Sequence, residues 1–105
     1  MVLGLARTGR DTARFLAQQG AVVLVSDLRP AADLQAELNA LAGLPIQYHL
    51  GGQDLNWLEG VDMVVPSPGV PMNNLLLQEA GRRGVEIISE IELAYRSLSL
   101  PLIAI

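Results

Sequence analysis

Apolar residues along the chain occur either in short continuous runs or at helical spacing, and the two patterns alternate. Between the runs, apolar side chains recur every three or four residues, as at Ala13, Leu16 and Ala17, which predicts helices with one buried face. Strands that alternate with helices are typical of a doubly wound parallel sheet with helices on both faces. The predicted strands are residues 1–5, 21–26, 46–49, 61–65, 85–88 and 102–105.

The predicted helices begin and end at residues suited to these positions. A glycine follows each of the first three helices, at Gly20, Gly43 and Gly84, as is common at helix C-termini. Pro30 suits the first turn of the second helix. The third helix is expected to be capped by Asn73 or Asn74, and Ser89 with Glu92 matches a capping box opening a fourth. The apolar face of that fourth helix is formed by Ile91, Ala94, Tyr95 and Leu98.

Composition supports one small aliphatic core. The chain has 105 residues, of which 50% are hydrophobic and 17% charged, so it is too apolar to be disordered. Its formal net charge is -4, and its seven basic residues, all arginines, are scattered along the chain. A nucleic-acid-binding surface requires clustered positive charge, so we expect no such partner.

Several kinds of chemistry are excluded by missing residue types. Without cysteine there are no disulfides, thiolate nucleophiles or zinc–thiolate sites, and a single histidine, His49, cannot form a metal site by itself. Without lysine there is no Walker-type phosphate loop. No apolar run approaches the roughly 20 residues of a membrane span, and the start lacks signal-peptide features. We expect a cytoplasmic monomer that carries no complete active site.

A glycine turn, Gly4 to Gly9, connects the first strand to the first helix. At this point of a dinucleotide-binding fold, backbone N–H groups and the helix N-terminus face a phosphate. Arg7 and Thr8 lie within the turn, where a cation and a hydroxyl would contact phosphate oxygens. Ala6 replaces the middle glycine of the usual G-x-G-x-x-G pattern, so a tight connection that binds no ligand is the alternative.

Two further segments follow strands at the same predicted edge of the sheet. Asp27 ends the second strand, where a carboxylate accepts hydrogen bonds from a ribose hydroxyl or a base N–H; its alternative role is to cap the helix after Pro30. Arg29 would contact the ligand or pair with Asp27 or Asp33. The rigid loop Ser67-Pro68-Gly69 leaves the fourth strand with exposed backbone donors, in the crevice where open α/β sheets bind ligands.

The order of these motifs resembles that of the Mur ligases, and the resemblance covers essentially the whole chain. The motifs are GLARTG (4–9), VSD (25–27) followed by Arg29, VPSPGV (65–70), SEIEL (89–93) and PLIAI (101–105). The resemblance implies that residues 1–105 form a Rossmann-like N-terminal domain that holds the UDP end of the substrate.

The resemblance also implies roles for individual residues. Arg7 and Thr8 would face the uridine diphosphate, and the segment Asp27, Leu28 and Arg29 would lie at the uracil and ribose, with Leu28 offering only its backbone N–H. Ser67, Pro68 and Gly69 would lie along the nucleotide and diphosphate. The implied substrate is UDP-N-acetylmuramoyl-L-alanine; D-glutamate, ATP and magnesium would bind to further domains, because the chain ends before the ATP phosphate loop.

Two other classes of function stay open at this point. Asp27 suits a nicotinamide dinucleotide equally well, so an NAD(P)-binding domain of a dehydrogenase or a nucleotide sensor is one alternative. The other is a Rossmann-like interaction domain without a ligand. The Mur ligase interpretation is favoured because Ala6 and the Ser67-Pro68-Gly69 loop do not fit the usual nicotinamide site.

Overall fold

A computed structural model of the chain describes residues 1–5 and 7–98. Within these residues, five strands form a single sheet in which every neighbouring pair is parallel. The strands are β1 (Val2–Leu3), β2 (Val23–Asp27), β3 (Ile46–Leu50), β4 (Met63–Pro66) and β5 (Glu86–Ile87). Their order across the sheet is β3-β2-β1-β4-β5, which confirms the predicted doubly wound arrangement.

The strands are connected by helices and short 3-10 turns. The helices are α1 (Arg7–Gln18), α2 (Gln35–Ala40), α3 (Leu75–Arg82) and α4 (Glu90–Leu98), and the 3-10 turns are Ala31–Leu34 and Leu55–Leu58. The predicted strand at residues 102–105 lies outside the described residues.

The core consists of two apolar clusters, one on each face of the sheet. Neighbouring residues of β1 point to opposite faces, so Val2 belongs to one cluster and Leu3 to the other. The first cluster packs α1 and the α2 region onto the sheet through Ala13, Ala17, Leu34 and Leu41. The second packs α3 and the second 3-10 turn through Leu58, Leu76, Leu77 and Ala80.

Some boundaries differ from those predicted, for local reasons. β1 ends at Leu3 rather than at residue 5, because Gly4 adopts a left-handed conformation with φ of 91°. β2 begins two residues later than predicted and ends at Asp27, as predicted; Asp27 lies opposite Leu50 of β3. β4 and β5 are also shifted or shortened at their ends.

The apolar face of α4 does not pack against the sheet in the described part of the chain. Ile91 and Tyr95 are 76% and 75% exposed, and Ala94 is exposed as well. The helix is joined to β5 by Arg96, which pairs with Glu86 at 3.0 Å. Spacing correctly predicted the helix and its start, where Ser89 accepts a 3.0 Å hydrogen bond from the Glu92 N–H, but it did not predict what covers the apolar face.

Candidate functional site

A cleft of about 350 Å³ opens at the carboxyl ends of β1, β2 and β4. The chain passes from β1 to β2 on one side and later places β4 on the other side of β1, so the strand order reverses here. This is the position at which open α/β sheets bind ligands. Six of the residues predicted at a site line this cleft: Gly4, Asp27, Leu28, Arg29, Ser67 and Gly69.

The glycine turn is tightly packed against the loop after β4. The Gly4 N–H donates to the Ser26 carbonyl at 2.7 Å, and the Gly4 carbonyl accepts a 2.7 Å hydrogen bond from the Ser67 hydroxyl. A side chain at Gly9 would overlap the Gly4 carbonyl oxygen and come within 2.6 Å of the Ser67 hydroxyl. Gly9 therefore lets the first turn of α1 approach β1 closely, as the third glycine of a dinucleotide-binding turn does.

Arg7 and Thr8 begin α1, which has 12 residues. The positive end of the helix dipole and the first backbone N–H groups of α1 thus lie next to the glycine turn. Ala6, together with the side chains of Arg7 and Thr8, lies outside what the structure describes. The predicted contacts of these two side chains with phosphate stay a prediction.

The Asp27 carboxylate is held by hydrogen bonds within the domain. It accepts from the Leu5 N–H at 2.8 Å and from the Arg29 N–H at 2.8 Å. The Arg29 guanidinium adds two further bonds, from Nε at 3.0 Å and from Nη2 at 2.9 Å. Asp27 thereby joins the glycine turn to the end of β2.

These contacts determine the ionisation of Asp27. Burial alone would raise its pKa, but the hydrogen bonds from Arg29 and from the Leu5 N–H hold the pKa below the usual carboxyl value. The carboxylate is therefore charged at neutral pH. Asp27 does not cap the following helix, because the hydrogen bonds that it accepts come from Leu5 and Arg29, and the N-cap positions of the 3-10 turn and of α2 are occupied by Pro30 and Leu34.

Arg29 and Leu28 form the outer rim of the cleft. The Arg29 side chain is 49% exposed although it pairs with Asp27, so part of it is accessible to a ligand. Leu28 is 61% exposed, and an apolar side chain at the mouth of a cleft offers a surface for a planar group. Of the two carboxylates predicted as partners of Arg29, Asp27 is the one that fixes its guanidinium, and Asp33 is not needed for this.

The loop after β4 turns back on itself at the other side of the cleft. Ser67 is 6% exposed, and its carbonyl accepts the Val70 N–H at 3.0 Å. Gly69 lines the cleft, whereas Pro68 is exposed and is not part of the lining. The structure thus places Ser67 and Gly69 together with Gly4, and Pro68 on the outside of the loop.

Sequence reasoning missed several residues of the lining. Asn74 was expected only as a helix cap; its side chain does cap α3, at 2.9 Å from the Leu76 N–H, and it also lines the cleft. Gln53 follows β3 at the same edge of the sheet, which was the available signal for it. The other missed residues of the lining are Leu3, Leu5, Ser26, Val70 and Pro71.

His49 and Trp57 belong to the packing rather than to the cleft lining. Their rings lie 4.6 Å apart, and Trp57 packs against the second apolar cluster. Among residues 1–5 and 7–98, no three His, Asp or Glu side chains are grouped closely enough to hold a metal ion. In the same residues, no helix has the length and apolar character needed to cross a membrane.

Comparison with known proteins gives a family match and close relatives. Residues 1–89 match the family model described as "Mur ligase MurD-like, N-terminal domain". The chain is 49% identical over 104 residues to the UDP-N-acetylmuramoylalanine–D-glutamate ligase of Trichlorobacter lovleyi. It is 50% identical over 105 residues to the protein of the same name from Geobacter metallireducens.

These alignments cover nearly all of this chain but a minor part of each relative. They include 99% and 100% of the chain and 23% of either relative, so the chain spans about a quarter of their length. Among solved structures, a pseudomurein peptide ligase type C from Methanothermus fervidus superposes with a TM-score of 0.67 at 24% identity. That match covers 95% of this chain and 21% of the other, and at this identity it demonstrates a shared fold.

Proposed function

Because this chain belongs to the family of MurD-like N-terminal domains of Mur ligases, we propose that its cleft binds the UDP part of UDP-N-acetylmuramoyl-L-alanine. The domain would do so within a ligase that adds D-glutamate to this precursor. The observation that carries the proposal is the arrangement of the cleft, with the Gly4–Ser67 contact on one side and the Asp27–Arg29 pair on the other. The family match disfavours a nicotinamide-binding domain.

The diphosphate is assigned to the side of the cleft formed by the glycine turn. The N-terminus of α1 carries a partial positive charge and backbone N–H groups that have no partner within the helix, which favour an anion at this position. Gly69, in the facing loop, lets the ligand approach the backbone because no side chain stands between them. Arg7 and Thr8 are the side chains proposed to complete the contacts with phosphate oxygens.

The uridine is assigned to the side formed by the end of β2. Asp27 fixes the orientation of the Arg29 guanidinium through two hydrogen bonds, and this flat group is proposed to stack on the pyrimidine. The carboxylate of Asp27 already accepts four hydrogen bonds from Leu5 and Arg29. Asp27 is therefore proposed to act mainly by holding Arg29 and the turn, and Leu28 to offer its backbone N–H and its side chain to the base.

The chemical step is assigned to the rest of such a ligase. It consists of activating the substrate carboxylate as an acyl phosphate with ATP and magnesium, followed by attack of the D-glutamate amine. This domain would contribute by holding the nucleotide end of the substrate at a fixed distance from that step. The reaction is proposed to take place in the cytoplasm.

The proposal is tested by an NMR titration of the labelled chain with UDP, with NAD as a parallel ligand. UDP should shift the amide signals of Gly4, Leu28, Arg29 and Gly69, and NAD should have little effect. Arg29→Ala should weaken UDP binding by roughly tenfold, the effect of losing one charge-assisted or stacking contact.

Arg82→Ala is the matched control, since Arg82 is a surface arginine paired with Glu79 on α3, and it should leave the affinity for UDP unchanged. Failure of UDP to shift any cleft signal at millimolar concentration would contradict the proposal. A response to NAD with none to UDP would instead favour the dinucleotide alternative.

A further inference from the structure

Ser26 has a buried hydroxyl group without a hydrogen-bond partner. The residue is 1% exposed, and its Oγ has no partner within the described part of the chain. Its backbone is fixed, because its carbonyl accepts the Gly4 N–H at 2.7 Å. Most buried hydroxyls in folded proteins are paired, so an unpaired one on a rigid strand requires an explanation.

The surroundings of Ser26 do not require a polar side chain for packing. On the neighbouring strands it lies opposite Leu3 of β1 and His49 of β3. Leu3 belongs to an apolar cluster, and Ser26 is the last residue of β2 before Asp27. A small apolar residue would fill the same position without leaving a hydroxyl unpaired.

Ser26 lines the cleft directly beside Asp27. The Asp27 carboxylate already accepts four hydrogen bonds from Leu5 and Arg29. The Ser26 hydroxyl, on the same side of the cleft, makes no hydrogen bond within the described part of the chain. A hydroxyl both donates and accepts, so it suits a carbonyl oxygen or an N–H of a ligand.

We propose that Ser26 is a ligand-recognition residue, and that its hydroxyl hydrogen bonds the polar edge of the pyrimidine base. This inference rests on the proposed function and adds a residue to it. Ser26 directly precedes the segment Asp27–Arg29 assigned to the uridine. It is 1% exposed, so only a narrow group of a ligand that enters the cleft can reach its hydroxyl. The flat edge of a base fits this requirement better than a phosphate group does.

The test compares Ser26→Ala with the unmodified chain by calorimetric or NMR titration with UDP, uridine and inorganic pyrophosphate. Removing one neutral hydrogen bond should weaken the binding of UDP and of uridine by roughly 5- to 10-fold. Binding of pyrophosphate should not change. The thermal midpoint of the ligand-free Ser26→Ala protein should stay the same or rise, since no internal hydrogen bond is lost. Ser26→Thr, which keeps the hydroxyl, should retain more of the UDP affinity than Ser26→Ala does.

Ser89→Ala is the control, because the Ser89 hydroxyl does have an internal partner, the Glu92 N–H at 3.0 Å. This variant should lose thermal stability and keep its affinity for UDP. Equal binding of UDP by Ser26→Ala and the unmodified chain would overturn the inference alone, as would a loss of stability matching that of Ser89→Ala. A complete lack of UDP binding by the unmodified chain would overturn the proposed function, and the inference with it.

Discussion

The hydroxyl of Ser67 donates a 2.7 Å hydrogen bond to the carbonyl oxygen of Gly4, which precedes it by 63 residues. The contact is possible because β1 and β4 are neighbours in the sheet, with Leu3 opposite Pro66. It joins the turn after the first strand to the loop after the fourth. The two backbone segments assigned to the diphosphate are therefore held at a fixed separation before any ligand binds.

Ser67→Ala should lower the free energy of unfolding by about 1–2 kcal/mol, because the partly buried Gly4 carbonyl loses its side-chain donor. Urea unfolding at neutral pH measures the change. Gly69→Ala is the control within the same loop, since an added Cβ there meets no atom within 4 Å, and it should stay within about 0.5 kcal/mol of the unmodified chain. Equal stability of Ser67→Ala and the unmodified chain would show that the bond contributes nothing.

Gly9→Ala should be destabilised by about 3 kcal/mol or more, because the new Cβ would collide with the backbone of Gly4, which cannot rotate away as a side chain can. The matched control is Gly81→Ala in α3, where an added Cβ has open space. That variant should be more stable by roughly 0.5–1 kcal/mol, because alanine is the better helix former. Thermal and urea unfolding of both variants would test whether stability falls for Gly9→Ala and rises for Gly81→Ala.

Asp27→Asn should destabilise the domain by about 2 kcal/mol at neutral pH, because it removes the charge that receives hydrogen bonds from Arg29 and Leu5. The folded-state pKa of Asp27 is lowered, so its stabilising contribution is present above the unfolded-state pKa near 4 and is lost as the pH falls through the folded-state value. The difference between the two proteins in urea unfolding should therefore shrink below about pH 4.

The control for this pH series is Asp11→Asn. The Asp11 side chain is 57% exposed and lies 3.6 Å from Arg14, an arrangement that contributes little to stability. The free energy of unfolding of the Asp11→Asn variant should equal that of the unmodified chain at each pH of the series. A stability difference for Asp27→Asn that stays constant down to pH 2.5 would contradict the role assigned to the charge.

Asn74→Ala should cost about 1 kcal/mol, because its side chain accepts hydrogen bonds from the Leu76 and Leu77 N–H groups at the start of α3. Asn73→Ala tests the neighbouring asparagine, which is exposed and was an equal candidate from sequence. It should change the free energy of unfolding by less than about 0.5 kcal/mol. Denaturant titrations that give the two variants the same stability would argue against the cap.

The fold and the position of the cleft were predictable because both depend on patterns that are local in sequence. Alternating runs and helical spacing predict a parallel sheet, and a parallel sheet brings Gly4, Asp27 and Ser67 to one edge. The partners of individual polar atoms were not predictable in this way. Whether Asp27 caps a helix or binds the Leu5 N–H depends on how closely two loops approach, which packing of the whole domain determines.

Other features were missed for related reasons. Periodicity identified an apolar face on α4, but it carries no information about what lies opposite, and Ile91 and Tyr95 are largely exposed. Ser26 lies in an otherwise apolar predicted strand, where a serine is interpreted only as a small residue that fits the packing. Its unpaired hydroxyl becomes visible once the positions of all nearby donors and acceptors are known.

The central position of β1 also has a consequence for how the domain is made. Ribosomal synthesis proceeds from the N-terminus, so β1 appears first, β2 and β3 follow, and β4 is completed only at Pro66. The cluster formed by Val2, Val25 and the residues of α1 can assemble from this early part alone. On the opposite face of β1, Leu3 stays exposed until the later residues of its cluster have been synthesised. Nascent chains of this domain are thus expected to acquire one face of the sheet before the other, and the cleft only after the segment from Ser67 to Asn74 has been synthesised.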